Sequence, residues 1–175
     1  MMKKFILVIT SIIAIGAVLT TGTTTQAKSK EDNKNQSLSR VAPKTKYSES
    51  EYDSSEEALG AIQEVLKEDG VPVDLGNNII GYSQGGAGSM YVTFHKGVYS
   101  VSISSSNVLG QDSRSLSRQV AQILADTEKF PNTVKGRIDA DFRSGVMSIT
   151  WVDENLVKSV SSEDLKAAID KANTK

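Results

Sequence analysis

Two residues in the middle of the chain could together perform nucleophilic chemistry. Ser83 stands in the stretch Gly81-Tyr82-Ser83-Gln84-Gly85-Gly86, and the single histidine of the sequence, His95, follows twelve positions later. A serine hydroxyl becomes a nucleophile when a neighbouring base accepts its proton. The pair would serve in hydrolysis if the fold brought the two side chains within hydrogen-bond distance.

The spacing Gly81-x-Ser83-x-Gly85 is similar to the nucleophile elbow of serine esterases such as cutinases and lipases, over residues 81–85 alone. The resemblance implies a serine on a sharp strand-to-helix turn, followed along the chain by an acid and then a histidine. Here a glycine-rich stretch leads directly into an alternating strand, and glycine disfavours a helix. The stretch is therefore interpreted as a turn between strands, and an esterase using Ser83 and His95 is the alternative hypothesis.

Metal chemistry has few candidate ligands in this sequence. One histidine and no cysteine do not favour a zinc site. Asp139 and Asp141 share one predicted strand face and could contact a hard cation. Basic residues flank this pair, so cross-strand charge pairing is the preferred interpretation. These residues are Lys135, Arg137 and Arg143. The sequence predicts no metal and no cofactor.

Polar side chains alternate with apolar ones along the predicted strands, which predicts one polar sheet face. Short hydroxyl side chains with a few charges on an uncovered sheet can form a docking surface. The same composition is typical of an ordinary solvated face, so both interpretations stay open. The candidate contact residues are Tyr82, Tyr91, Thr93, His95, Arg137 and Asp139.

Three segments have the apolar period of amphipathic helices. The first covers residues 54–69 and opens with a capping box formed by Ser54 and Glu57. The second extends over about 115–129, and the third begins at residue 161 or 162. Period-2 alternation predicts strands at 88–95, 98–106, 133–143 and 146–154, and a short strand is expected at 78–82.

These elements follow the order α-β-β-β-α-β-β-α over residues 54–175. The predicted hairpins make the sheet mainly antiparallel, with about five strands. Because each strand has one apolar and one polar face, the helices are expected on one face only. The sequence therefore predicts a single two-layer α+β domain.

The first 27 residues have the features of a secretory signal peptide. Lys3 and Lys4 precede an apolar run at 5–20, and small residues lead to a cleavage site after Ala27. The run is shorter than the ~20 residues of a spanning helix, so no stable membrane insertion is expected after cleavage. Export, a basic start and the absence of cysteine together suggest a protein of a Gram-positive bacterium.

Residues 28–53 are polar and charged, and are interpreted as a flexible leader. In the alternative, Tyr47 and Tyr52 dock onto the domain. Lys3 and Lys4 leave with the signal, so 18 basic and 21 acidic residues remain and the net charge is −3. This balance does not favour nucleic-acid binding, which usually requires a basic excess.

The preferred functional hypothesis is a secreted, non-enzymatic protein that binds a host protein or an envelope polymer through its surface. Two alternatives stay open. One is the serine hydrolase that uses Ser83 and His95. The other is a cell-envelope factor that remains associated with the wall.

Overall fold

Eight strands and three helices form the part of the chain that the computed structural model describes, residues 42–65 and 69–175. The elements in chain order are β1 (Thr45–Glu51), α1 (Ser55–Ala61), β2 (Val71–Asp74), β3 (Ile80–Gly86), β4 (Ser89–Lys96), β5 (Tyr99–Ser106), α2 (Ser113–Asp126), β6 (Gly136–Asp141), β7 (Val146–Asp153), β8 (Leu156–Ser162) and α3 (Leu165–Ala172). The predicted signal peptide at 1–27 and residues 28–41 of the predicted leader lie outside the described residues.

The strands form one sheet in the order β1-β8-β7-β6-β5-β4-β3-β2. Every neighbouring pair is antiparallel except β5 and β6, which are parallel and are joined through α2. The α+β class and the mainly antiparallel sheet are therefore confirmed. The prediction of about five strands and the predicted element order are wrong, because β1, β2 and β8 were not expected.

The missed strands have weak sequence patterns. Strand β1 lies within residues 28–53, which the sequence analysis assigned to the leader, and it pairs with β8 from Thr45↔Ser162 to Glu51↔Leu156. It is an edge strand and six of its seven residues are exposed, so it lacks apolar alternation. Strand β2, at the other edge, has only four residues and contains Pro72.

Side-chain caps fix where the helices begin. Ser54 Oγ accepts a hydrogen bond from the backbone N–H of Glu57 at 3.2 Å, as the capping box predicts. Asp112 caps α2. Asp164 caps α3 by accepting from the N–H of Ala167 at 2.7 Å, so the predicted start at 161 or 162 falls inside β8 instead.

The first helix ends at Ala61, well before the predicted end at residue 69. The chain must pass from β1 at one edge of the sheet to β2 at the other between residues 51 and 71. Seven strand spacings of ~4.8 Å amount to about 34 Å. Twenty residues of continuous helix would span only about 30 Å. An extended portion is therefore needed to complete the crossing.

Two apolar clusters lie on opposite faces of the sheet. The larger cluster packs α2 and α3 against one face and includes the fully buried Phe94, Ile138 and Leu124. The smaller cluster joins Ala58 and Ile62 to Val152. Val152 projects to the opposite face from its neighbour Trp151, which belongs to the larger cluster. The expectation of helices on one face only is therefore wrong, because α1 packs on the polar face.

Candidate binding site

Strand register aligns the polar side chains in rows across the sheet. Residues paired across neighbouring strands project to the same face. The first row runs through Gln84, Tyr91, Ser104, Asp141 and Val146. The second row runs through Tyr82, Thr93, Ser102, Asp139 and Ser148. A third row contains His95, Ser100 and Arg137.

The crossover segment, residues 52–65 and 69–70, lies across this face. Its described residues contact successive strands from β8 towards β3. After the packing of α1 on β7 and β8, the polar contacts in sequence are Lys135 Nζ to Leu59 O at 3.0 Å, Arg137 Nη1 to Gln63 O at 3.4 Å, His95 Nε2 to Glu64 Oε1 at 3.1 Å and Gln84 Nε2 to Asp69 Oδ1 at 2.6 Å. The segment therefore passes over the third row.

The polar face is not an uncovered, solvated surface. Thr93, Ser100 and Ser104 project from it, yet they are only 3%, 4% and 7% exposed. Their burial follows from the dense central strands and from the crossover segment above them. The expectation of an uncovered sheet face is corrected in this respect.

A pocket of about 570 Å³ lies on this face, within the ~300–1,000 Å³ typical of small-molecule sites. Its floor is made of the first two rows, and Arg137, Val65 and the β6–β7 turn supply the rest of its lining. The complete lining is Val65, Tyr82, Gln84, Tyr91, Thr93, Ser102, Ser104, Arg137, Asp139, Asp141, Arg143, Ser144, Val146 and Ser148. It is predominantly polar.

Two arginine–aspartate pairs provide the charged groups of the pocket. Arg137 donates from Nε and Nη2 to the two carboxylate oxygens of Asp139, at 2.7 and 2.6 Å. Arg143 donates in the same bidentate manner to Asp141, at 2.9 and 3.3 Å. Such paired bonds hold both side chains in a fixed orientation. Both pairs connect positions i and i+2 of one chain segment, so the expected pairing across strands is wrong in detail.

Asp141 is the most heavily hydrogen-bonded carboxylate described in the pocket. Besides Arg143, it accepts from Ser104 Oγ at 2.7 Å and from Ser144 Oγ at 3.0 Å. The hydrogen bonds from the Arg143 side chain, and then those from the two hydroxyls, hold the pKa of Asp141 well below its usual range. Asp141 is therefore a charged acceptor and not a proton donor at neutral pH.

Arg143 also positions a tyrosine at the edge of the pocket. Its Nη1 donates to Tyr91 Oη at 3.0 Å, and its guanidinium carbon lies 5.4 Å from the centre of the Tyr91 ring. This distance is within the range of a cation–π contact. The Tyr91 ring is thereby fixed through the β6–β7 turn before any ligand is present.

The Gly81–Gly86 stretch is a strand and not the predicted turn. Ser83 pairs with Val92 in the middle of β3, and the turn follows at Ala87 and Gly88, both with positive φ. The glycine at position 81 is explained by packing, because a Cβ atom there would lie 2.8 Å from Leu75 Cδ1 and 2.9 Å from Val92 Cγ1. The motif therefore has a structural role in β3.

Ser83 and His95 project from opposite faces of the sheet. Ser83 shares the face of its partner Val92, which belongs to the larger apolar cluster. His95 alternates with Phe94 and contacts Glu64 on the polar face. The fold does not bring the serine and histidine together as a nucleophile–base pair.

Five of the six residues that the sequence suggested as a binding surface line the pocket. They are Tyr82, Tyr91, Thr93, Arg137 and Asp139. His95 lies outside the lining and contacts the crossover segment instead. The sequence did not single out Gln84, Asp141, Arg143 or Val65 as contacts. Alternation along β6 could have indicated Asp141, whereas no local pattern indicates that Val65 reaches this face.

The chain gives no match in comparisons with protein-family models, with curated proteins or with solved structures. Across residues 42–65 and 69–175, no three histidine, aspartate or glutamate side chains are grouped so that they could hold a metal ion. The helices of that same part of the chain are too short and too polar to cross a membrane. A functional assignment must therefore rest on the pocket itself.

Proposed function

We propose that this protein is an exported, non-enzymatic binding protein that holds its partner in the pocket on the polar face of the sheet. The observation that carries the proposal is the pocket of about 570 Å³ built on the central strands β3 to β6. Secreted binding through this face was also the preferred hypothesis from the sequence, with a host protein or an envelope polymer as partner.

Unused hydrogen-bonding groups support a binding role for the pocket. Among the described residues, the hydroxyl groups of Tyr82, Ser102 and Ser148 have no hydrogen-bond partner, although all three line the pocket. Such groups can donate to and accept from a ligand. The fixed arginine–aspartate pairs surround them with oriented charge, which reduces the entropy lost on binding.

The protonation states favour binding over acid–base catalysis. A general acid needs a pKa near the working pH. The pKa of Asp141 is shifted in the opposite direction by Arg143, and Asp139 is held by a bidentate arginine. Both carboxylates are therefore suited to accepting hydrogen bonds from a ligand and not to donating a proton.

The proposal can be tested by filling the pocket without removing any of its charged contacts. In chain 28–175, Ser102→Trp places a large side chain on the pocket floor. The matched control is Ser115→Trp, at an exposed position of α2 on the other side of the sheet. Ser148→Tyr provides a second, milder obstruction if the first variant unfolds. Urea unfolding establishes that each variant is folded before binding is measured.

The probes are purified Gram-positive cell-wall sacculi, an immobilised glycan array and an immobilised peptide array. We expect the unmodified chain and Ser115→Trp to bind at least one probe, and both pocket variants to lose that binding. Binding that survives both obstructions, or no binding to any probe, would refute the proposed role of the pocket.

The serine hydrolase alternative has a separate test. Chain 28–175 is incubated with a fluorophosphonate probe beside a Ser83→Ala variant. Because Ser83 and His95 lie on opposite faces of the sheet, we expect no labelling of either protein. Labelling that disappears in the variant would support the hydrolase instead.

Association with the wall is distinguished from release by fractionation of the producing cells. A released protein remains in the medium, whereas a wall-associated protein sediments with the cells and is extracted with their walls. We expect the medium fraction to dominate, and a predominantly wall-bound protein would support the envelope-factor alternative.

A further inference from the structure

The chemistry of the pocket lining indicates which class of ligand it can hold. We infer that the pocket takes a neutral sugar ring of a glycan, an inference that rests on the proposed binding function. Three features carry it: balanced charge, free hydroxyl groups and tyrosine rings. Each of them is a property of the described lining residues.

The charge balance of the lining favours an uncharged ligand. The two arginines and two aspartates of the pocket neutralise one another as Arg137–Asp139 and Arg143–Asp141. The remaining Nη1 groups are also used, because that of Arg137 donates to Gln63 O and that of Arg143 donates to Tyr91 Oη. A phosphate or carboxylate ligand would have to displace one of these partners to reach a guanidinium fork.

The hydrogen-bonding groups of the lining match those of vicinal hydroxyls. Each hydroxyl of a sugar can both donate and accept, so it needs mixed partners around it. Tyr82, Ser102 and Ser148 offer free hydroxyl groups, and Asp139 offers carboxylate lone pairs beyond its bonds to Arg137. All four lie in or beside the second row of the sheet face, so one ring can contact them together.

Aromatic side chains supply the apolar contact that a sugar ring also needs. Tyr82 and Tyr91 line the same part of the pocket on neighbouring strands. Tyrosine combines a large apolar ring with a polar hydroxyl, which suits a ligand with apolar C–H faces and polar edges. The only other apolar lining residues are Val65 and Val146, too few to anchor a lipid chain or the side chains of an apolar peptide.

An NMR titration of ¹⁵N-labelled chain 28–175 tests the inference. N-acetylglucosamine and its β1,4-linked dimer represent bacterial wall glycans, and methyl β-galactoside and lactose represent host glycans. Glucose 6-phosphate is the anionic comparator, and triglycine is the peptide comparator. We expect at least one neutral sugar to cause saturable shifts at amides of β3 to β6, and the responding pair identifies the source of the glycan.

Substitutions at Tyr82 then examine the contact itself. We expect Tyr82→Ala to weaken the responding sugar about tenfold and Tyr82→Phe to weaken it less, because the ring is retained. Asp139→Asn should also weaken binding through the loss of a charged acceptor. Gln119→Ala, on the exposed surface of α2, is the control that should leave affinity unchanged.

The failures of the two proposals are distinguishable. If no neutral sugar causes saturable shifts while triglycine or glucose 6-phosphate shifts the pocket amides, the sugar inference is overturned and the binding function stands. If no compound shifts those amides and the obstructed Ser102→Trp variant binds the arrays like the unmodified chain, both proposals fall. Saturable sugar shifts located on α2 or α3 would also overturn the inference.

Discussion

Replacement of Gly136 by alanine tests how the parallel pair at the centre of the sheet is packed. Gly136 begins β6 and pairs with Tyr99 on β5. A Cβ atom at this position would overlap Cε1 and Cδ1 of the Tyr99 ring and lie 3.0 Å from its Cζ. The ring cannot move freely, because Tyr99 is only 3% exposed, packs against Phe130 and donates its hydroxyl to Pro131 O at 2.8 Å.

The expected loss of stability combines two effects. Inserting a methyl group into a packed region costs about 1–3 kcal/mol. Displacing the tyrosine hydroxyl from its carbonyl partner costs about 1 kcal/mol more. We therefore expect Gly136→Ala to lower the free energy of unfolding by about 2–4 kcal/mol, a large part of the ~5–15 kcal/mol of a typical domain.

Urea unfolding followed by tryptophan fluorescence measures this loss. The single tryptophan, Trp151, is buried and pairs with Gly136 across β7. With a slope of ~1–3 kcal/mol per molar urea, the midpoint should fall by roughly 1–2 M. The matched control is Gly60→Ala in α1, where the new methyl group meets no atom within 4 Å. That change should stabilise the protein by up to about 1 kcal/mol, because alanine favours a helix.

A double-mutant cycle identifies the cause of the effect. On a Tyr99→Ala background the ring is absent, so Gly136→Ala should cost much less than in the unmodified chain. The reasoning is refuted if Gly136→Ala leaves the urea midpoint unchanged. It is also refuted if the cost is the same with and without the tyrosine ring.

Three further perturbations have definite expected outcomes. Since its folded-state pKa is lowered, Asp141 stabilises the fold above the unfolded-state carboxyl pKa and loses that effect as pH falls; Asp141→Asn should therefore cost about 1 kcal/mol in urea unfolding at pH 7 and less at pH 3, and an equal cost at both would contradict this. Chain 54–175 lacks β1 and should unfold at lower urea than chain 28–175; identical midpoints would show that β1 adds nothing. Glu64→Gln should change stability by less than ~1 kcal/mol, because the side chains of His95 and Glu64 are 38% and 57% exposed; a larger loss would mean that this contact anchors the crossover.

The sequence predicts the centre of the sheet well, because its strands alternate clearly. In β4 and β6, apolar residues such as Phe94 and Ile138 face the helices and polar residues face the other way. The same alternation correctly groups Tyr91, Thr93 and Asp139 on one face. Local periodicity is sufficient where both neighbours of a strand are present and one face is fully buried.

The edges of the sheet are not predictable in this way. Strand β8 places Lys158 and Ser162 on the face that packs against the helices, so apolar and polar residues do not separate by position. Lys158 is tolerated there because its Nζ donates to Asp153 at 2.5 Å and because its stem can pack along apolar neighbours. Strand β1 is recognisable only through its pairing with β8, which is a contact between residues more than 100 positions apart.

The candidate site combines a part that the sequence predicts with a part that it cannot. Tyr82 and Asp139 follow from strand alternation, and their pocket requires in addition that residues 52–70 cross the polar face. That crossing results from the positions of β1 and β2 at opposite edges, which no local pattern encodes. The predicted short strand at 78–82 also ended too early, so Gln84 was left out of the face.

The two parts of the pocket differ in how firmly they are held, and this difference has a consequence for binding. The floor lies on central strands, and its charged side chains are fixed by bidentate pairs such as Arg137–Asp139. The crossover segment is joined to the floor by a few contacts that include the half-exposed pair of Glu64 and His95. A ligand that contacts the floor meets groups that are already ordered, so it loses little entropy there. Differences in affinity between ligands of similar chemistry should therefore arise mainly from how each one meets the crossover segment.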